Sequence, residues 1–257
     1  MAWKAFPYPN AAYLHTRDSL KAAWRGLHSG DAEPWPRKAV VIDAWIAFHA
    51  GEFERAEHAG VSAGWAGHAA ANKASCAHAV YLETSSAAKR ERLLTVAERC
   101  EQQQAEQPDN PAAFYWHAYA LGRYAQEISV MQALAQGLGG KVKASLDTTL
   151  KLSPRHADAH VALGVYHAEI IDKVGAILGR LTYGASRDDA IEHFLAALAL
   201  NPDSAITRIE YARGLLMLDG GAKRDEANAL RRAAIGATPR DAMERLDGER
   251  ARHELGE

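Results

Sequence analysis

Cysteine is nearly missing from this chain. Only Cys76 and Cys100 occur in 257 residues. They are far apart and form no C-x-x-C unit, which excludes a disulfide scaffold and a thiolate zinc ribbon. Both fall in helical patterns and read as small core residues. Long apolar runs are missing too. No window approaches the ~20 residues of a spanning helix, and the opening "MAWKAFPYPN" has no signal-type apolar stretch. The expectation is a soluble chain of a reducing, cytoplasmic compartment that makes no membrane contact. An excess of either charge is also lacking: 30 Lys and Arg against 32 Asp and Glu leave a net −2. A general nucleic-acid binder needs a basic face. Lys89-Arg90 and Lys223-Arg224 are small clusters of helix surface, so no nucleic-acid partner is expected. Strand signals are scarce, since β-branched runs are absent.

What is present is alanine, and helical spacing. Hydrophobic residues make up 48%, enough for a sizeable globular core. Glycines and prolines fall between apolar-periodic segments, which predicts an all-α chain. Asn10 opens a first helix carrying Tyr13, Leu20, Trp24 and Leu27 on one face, closed by Gly30. "SGDAEPWP" is a linker or sharp turn. Val41, Ala44, Trp45 and Phe48 face inward from a second helix, and "GEF" marks a joint to a third. Alanine-rich "HAAANKASCAHAVYLE" (His68 to Glu83) follows. A helix with Leu93, Leu94, Ala97 and Cys100 on its buried stripe comes next, broken by Pro108 and Pro111.

After that the chain repeats itself. "ALGRYAQEIS" from Ala120 matches "ALGVYHAEII" from Ala162, an offset of 42 residues. The copies stop at Pro154 and Pro202, and a weaker third stops at Pro239. Such a period signals stacked helical hairpins. The copy with Leu163-Gly164 in its first helix and Ala190, Phe194, Ala197 and Pro202 in its second resembles a tetratricopeptide repeat. Gly122 matches Gly164, with Ala212 in that place in the third copy. Ala227 and Ala234 match Ala190 and Ala197, while Arg231 replaces Phe194. The resemblance covers roughly Ala112 to Pro239 and implies stacked antiparallel hairpins, a right-handed α-solenoid. The stretch from Gly164 to Pro202 is longer than the family pattern. Ile170, Val174, Ile177, Leu178 and Leu181 continue the stripe, which predicts a lengthened first helix ended by Tyr183-Gly184. Ser186 and Asp189 then cap the next helix. This enlarged hairpin is similar to the eukaryotic regulator of microtubule dynamics proteins, a likeness of architecture. The expected organisation is an N-terminal helix and linker over 1–34, repeats over 35–239, and a charged capping helix over 240–257 with Met243 and Leu246 on one side.

Several motifs bear on chemistry. "GVSAG" (Gly60 to Gly64) fits G-x-S-x-G, but a nucleophile elbow needs a strand before the serine, and a helix precedes Ser62. "QGLGGKV" (Gln136 to Val142) lacks the glycine and the Ser/Thr of a phosphate loop. His156, His160 and His167 share one helical face, a spacing that can grip a metal; the packing role is the preferred reading, and no metal or cofactor is assigned. Gly175 and Gly179, four apart, suit close internal packing or a dimer seam. No nucleophile, base and oxyanion donor assemble, so no enzyme is expected. In tetratricopeptide proteins the first helices line a groove that holds extended peptides or helices. The groove positions carried over are Trp116, Tyr119, Arg123, Gln126 and Glu127, then Asp158, Val161, Val165, Ala168 and Glu169, then Arg208, Arg213 and Met217. The resulting expectation is a non-enzymatic scaffold for a protein or peptide, with a second copy of the chain as a candidate partner. A small ligand in an enclosed pocket is the alternative.

Overall fold

The computed structural model describes residues 2–256, and among them every regular element is helical. The chain divides into two compact units. The first comprises residues up to His28, Glu33–Leu152 and Arg240–Met243. It holds α1 (Arg17–Leu27), α2 (Ala39–His49), α3 (Phe53–Ser62), α4 (His68–Ala77), α5 (Ser86–Glu106), α6 (Pro111–Gln126), α7 (Val130–Ala135) and α8 (Leu138–Leu152). The second comprises Ser29–Ala32, Ser153–Pro239 and the chain from Glu244. It holds α9 (Ala157–Val174), α10 (Ala176–Tyr183), α11 (Arg187–Leu200), α12 (Ala205–Asp219), α13 (Arg224–Gly236) and most of α14 (Ala242–Leu255).

Local chemistry sets the helix starts. Asn110 accepts from the Ala112 amide with Pro111 in the first turn, where a missing N–H costs nothing. Ser204 accepts from the Thr207 amide and Ser186 from the Asp189 amide, each meeting an orphan donor of the first turn. Helices near in sequence then pair: α2 with α3, α5 with α6 and α12 with α13 directly, and α6 with α8 and α9 with α11 across the short helices α7 and α10. Trp45, Phe48, Phe53 and Leu93 are buried in the first unit. Cys76 and Cys100 are buried and free, and Cys100 Sγ accepts from Asn72 Nδ2 at 3.2 Å.

The second unit shows why its repeat carries small residues. Phe194, with no exposed surface, packs with Val161, Ala197, Tyr211 and Leu215. Its ring stacks on Tyr211, centroids 5.0 Å apart. A Cβ at Gly164 would stand 2.8 Å from that ring and one at Gly214 2.6 Å, so glycines on α9 and α12 flank the same phenyl group. Beyond α12, Ala251 of α14 packs with Ala205, Ile209 and Ala234.

Four readings change. Asn10 caps only a single 3-10 turn, Ala11–Tyr13, and α1 begins at Thr16 through a capping box with Ser19. Gly122 is not the counterpart of Gly164: a Cβ there would meet open space. Counted from the caps, Ala118, Gly164 and Ala212 each lie eight residues on. The long hairpin contains no single long helix either. Gly175 has φ +84, which ends α9 and starts α10, a conformation glycine adopts at no steric cost. Gly175 therefore sits in the break, and Gly179 alone makes the close contact, against Ile170. On α10 the stripe turns outward, with Ile177 and Leu181 each 81% exposed.

The α3–α4 joint in the first unit is tighter still. A Cβ at Gly60 would stand 2.6 Å from the Gly67 carbonyl oxygen and 2.9 Å from the Ala71 amide nitrogen. Backbone cannot swing aside as a side chain does. Gly60→Ala is therefore expected to cost about 2 kcal/mol or more by chemical denaturation, despite alanine's better helix propensity.

Candidate functional site

On α6 the sequence places an aromatic face. Trp116 is buried and meets Tyr115 edge-on at 4.9 Å and Tyr119 at 5.4 Å. The Arg123 guanidinium lies 5.1 Å from the Tyr119 ring centre and donates to Gln126 Oε1 at 3.2 Å. The helical spacing 116, 119, 123, 126 puts all four on one face. Tyr119 and Arg123 are half-buried and Gln126 exposed. This is a cluster of edge-on rings, Trp116 buried and Tyr119 half-buried, with a cation and an amide beside it. Glu127 is turned to structure: it accepts from Lys89 Nζ at 3.0 Å, and its carbonyl accepts from Arg90, so it ties α5 to the end of α6.

In the second unit the positions are more occupied. The Asp158 amide donates to the Gly30 carbonyl at 3.0 Å. Val161 belongs to the Phe194 core and Val165 packs on its edge. Ala168 and Met217 are buried and half-buried. Glu169 pairs with Lys173 at 3.8 Å. Arg208 donates to the carbonyls of Ser204 and Pro202. Arg213 pairs with Glu254 of α14 and lies 3.9 Å from Glu210.

Sequence reasoning missed the network to which Arg213 belongs. Glu210 is buried and receives Arg250 at 3.3 Å. Glu254 also accepts from Arg231 Nε at 3.0 Å. Arg231 stands in the place of Phe194, so the last hairpin replaces an aromatic filler with a guanidinium paired to the terminal helix. It missed His49 as well, a fully buried histidine whose Nδ1 lies 2.7 Å from Asp241. Burial holds the His49 pKa below its ordinary value against the pull of that carboxylate. Arg240 beside it donates to the Gly26 carbonyl at 2.8 Å. Neither pairing leaves a signal in spacing.

The chemical motifs resolve into packing and caps. Ser62 lies in α3 and donates to the His58 carbonyl at 2.8 Å, and the element before α3 is the helix α2. Of Gln136 to Val142, only Gln136 and Gly137, the latter at φ +63, form a turn, and Leu138 to Val142 are the start of α8. Burial pushes the Cys76 thiol up to about 12 and Cys100 well above its ordinary value, so neither is a poised thiolate. The three histidines of α9 go separate ways. His156 caps the helix, its Nδ1 accepting from the Ala159 amide at 3.1 Å. His167 Nδ1 accepts from the Ser186 amide at 3.2 Å. His160 Nδ1 meets Nδ1 of His193, on α11, at 2.9 Å. Among the described residues no three His, Cys, Asp or Glu side chains converge to encage a metal ion, and no helix is long and apolar enough to cross a membrane.

Comparison with known proteins agrees with this architecture. The family described as Regulator of microtubule dynamics protein 1-3 matches residues 68–220. Among solved structures, a thermophilic TPR protein of Thermus thermophilus superposes with a TM-score of 0.58 at 18% sequence identity. The match covers 82% of this chain and 96% of that one, and it speaks for the fold alone. No curated protein matches the chain. The chain is thus an all-α protein of helical hairpins of the tetratricopeptide kind.

Proposed function

Since the chain belongs to the Regulator of microtubule dynamics protein 1-3 family, a fold of helical hairpins, we propose that it is a scaffold that binds a protein partner and catalyses nothing. The contact surface is the α6 face, where Tyr119, Arg123 and Gln126 lie over the buried Trp116. The observation that carries this reading is the Arg123–Tyr119 pair, the guanidinium 5.1 Å from the ring centre, both half-buried on one helix face. Aromatic and arginine side chains carry most of the energy in protein interfaces. A guanidinium already held beside a ring and an amide oxygen loses less freedom when it makes a further contact. The partner is an extended segment or helix with an acidic group beside an apolar one. Asp158, Val161, Val165, Glu169, Arg208 and Arg213, on α9 and α12 of the second unit, are mostly engaged in pairs or core packing and are given no part in this surface.

The test is selection of displayed peptides on the wild-type protein, followed by affinities measured with the purified peptide. Tyr119→Ala/Arg123→Ala should weaken binding by about 30-fold, the size of a hot-spot loss, with the melting temperature nearly unchanged. Selected peptides that bind the double variant as tightly as the wild type would refute the surface.

A further inference from the structure

In the first unit the N-terminal segment lays one tryptophan ring against two buried donor side chains. α4 runs into a π-helical turn, His78–Leu82, closed by the Glu83 amide donating to the His78 carbonyl at 2.9 Å. Such turns are rare and recur at functional positions. His78, carried by this turn, has no exposed surface, and Arg92 of α5 is 5% exposed. The Arg92 guanidinium carbon lies 3.8 Å from the centre of the Trp3 ring. The His78 ring meets the same indole edge-on, centroids 4.7 Å apart. None of these residues belongs to the α6 face.

Both side chains hold donors that nothing meets. Among the described residues Arg92 Nε and Nη2 have no hydrogen-bond partner, and neither has His78 Nδ1. His78 Nε2 accepts from the Lys4 amide at 2.8 Å, so the proton of the neutral ring is on Nδ1. Three donor nitrogens, two of them on a cation, are thus buried unmet, which is costly without an acceptor. Nε and Nη2 make one edge of the guanidinium, and in this molecule that edge takes carboxylates. Arg17 Nε and Nη2 donate to Asp43 at 3.2 and 2.9 Å. Arg187 Nε and Nη2 donate to Asp219 at 2.9 and 2.8 Å. Glu57 and Glu83 act on Arg92 electrostatically but are held by other donors. Glu57 accepts from Arg99 Nη2 at 2.7 Å, and Glu83 Oε1 from the Thr84 and Ser85 amides at 2.8 and 2.9 Å.

We propose that Arg92 and His78 form a binding site for a small carboxylate anion, with Trp3 as its cover. The Nε–Nη2 edge takes the two oxygens in parallel, the geometry that a planar acceptor matches, and the Nδ1–H of His78 adds a third donor. The donors are closed to solvent, so the anion is small and enters as the Trp3 segment lifts. Residues 2–10 hold no regular element, and their lifting leaves the hairpins in place.

The measurement is an NMR titration of the full chain with sodium acetate near pH 7.5, balanced with sodium chloride to constant ionic strength. The Arg92 Nε–H, the Trp3 indole N–H, the Lys4 amide and the His78 ring protons should shift together and saturate, with a dissociation constant of roughly 1–10 mM. Arg92→Lys keeps the charge and loses the edge, so it should weaken acetate by at least about tenfold. Arg25→Lys, on the exposed surface of α1, should bind as the wild type does. Sodium phosphate at the same ionic strength should bind more weakly than acetate; tighter binding would overturn the carboxylate assignment. The wild-type titration decides even where Arg92→Lys does not fold. An Arg92 Nε–H that stays unmoved at acetate concentrations tenfold above that constant, or a folded Arg92→Lys with wild-type affinity, would overturn the site.

Discussion

Replacing Phe194 by alanine is expected to destabilise the protein by about 3–5 kcal/mol, the range for truncating a fully buried phenylalanine. The ring is closed on two sides by glycines and on a third by Tyr211, so the surrounding backbone has little room to collapse into the void. The partner experiment separates packing from propensity. Gly164→Ala in the wild type drives a methyl group against the ring at 2.8 Å and should cost about 1–3 kcal/mol. In the Phe194→Ala background the same change meets empty space and gains up to about 1 kcal/mol of helix propensity. The two substitutions should therefore be strongly non-additive in urea denaturation. Simple addition of the two losses would mean that the glycine serves something other than the phenyl ring.

Acid is expected to unfold this protein well before its carboxylates protonate. Burial, then Arg92, lowers the His78 pKa to about 4, and burial, then Arg99, does the same for His68. For His78 the reason is visible: Nε2 accepts the Lys4 amide at 2.8 Å, and a proton there would remove the acceptor. In the unfolded chain both titrate near 6.5. The folded values lie below the unfolded one, so between about pH 6.5 and 4 the unfolded chain binds more protons. The stabilisation is complete above pH 6.5 and is lost as pH falls towards 4. Each pH unit of difference is worth about 1.4 kcal/mol, so each of these histidines withdraws on the order of 2–3 kcal/mol by pH 4. His15, His49, His117 and His160 shift in the same direction, burial leading in each. Urea midpoints from pH 7.5 to 4.5 should fall steeply. His78→Gln keeps an acceptor but cannot titrate, so it should flatten the curve. A level wild-type profile would contradict this account.

The residues that announced the fold are those whose work is local. The cap at Ser186, and the set Gly164, Ala190, Phe194, Ala197, could be read directly because each acts within a turn or at helical spacing. The internal repeat misled in its register. The A-L-G-x-Y frame recurs at 42 residues, yet the caps of α6 and α9 lie farther apart, so the same letters sit at different heights on their helices. Gly175 was hidden because a glycine within an apolar helical run gives no sign of its φ. On the candidate site, the Tyr119–Arg123 face was legible from one helix. Glu127's partner on α5, His193 beside His160, and Glu210 under Arg250 were not, since a contact between helices leaves no trace in the spacing of either one.

Asp241 reaches His49 across 192 residues of chain, and the Asp158 amide is met by Gly30. A fragment cut after Leu152 would bury an imidazole without its carboxylate, and one begun at Ser153 would lack the carbonyl at the head of α9. Neither half is one unbroken length of polypeptide. While the chain is still emerging from the ribosome, the earlier half must wait for its last pieces, so its final closure belongs to the moments after Met243 has cleared the exit tunnel.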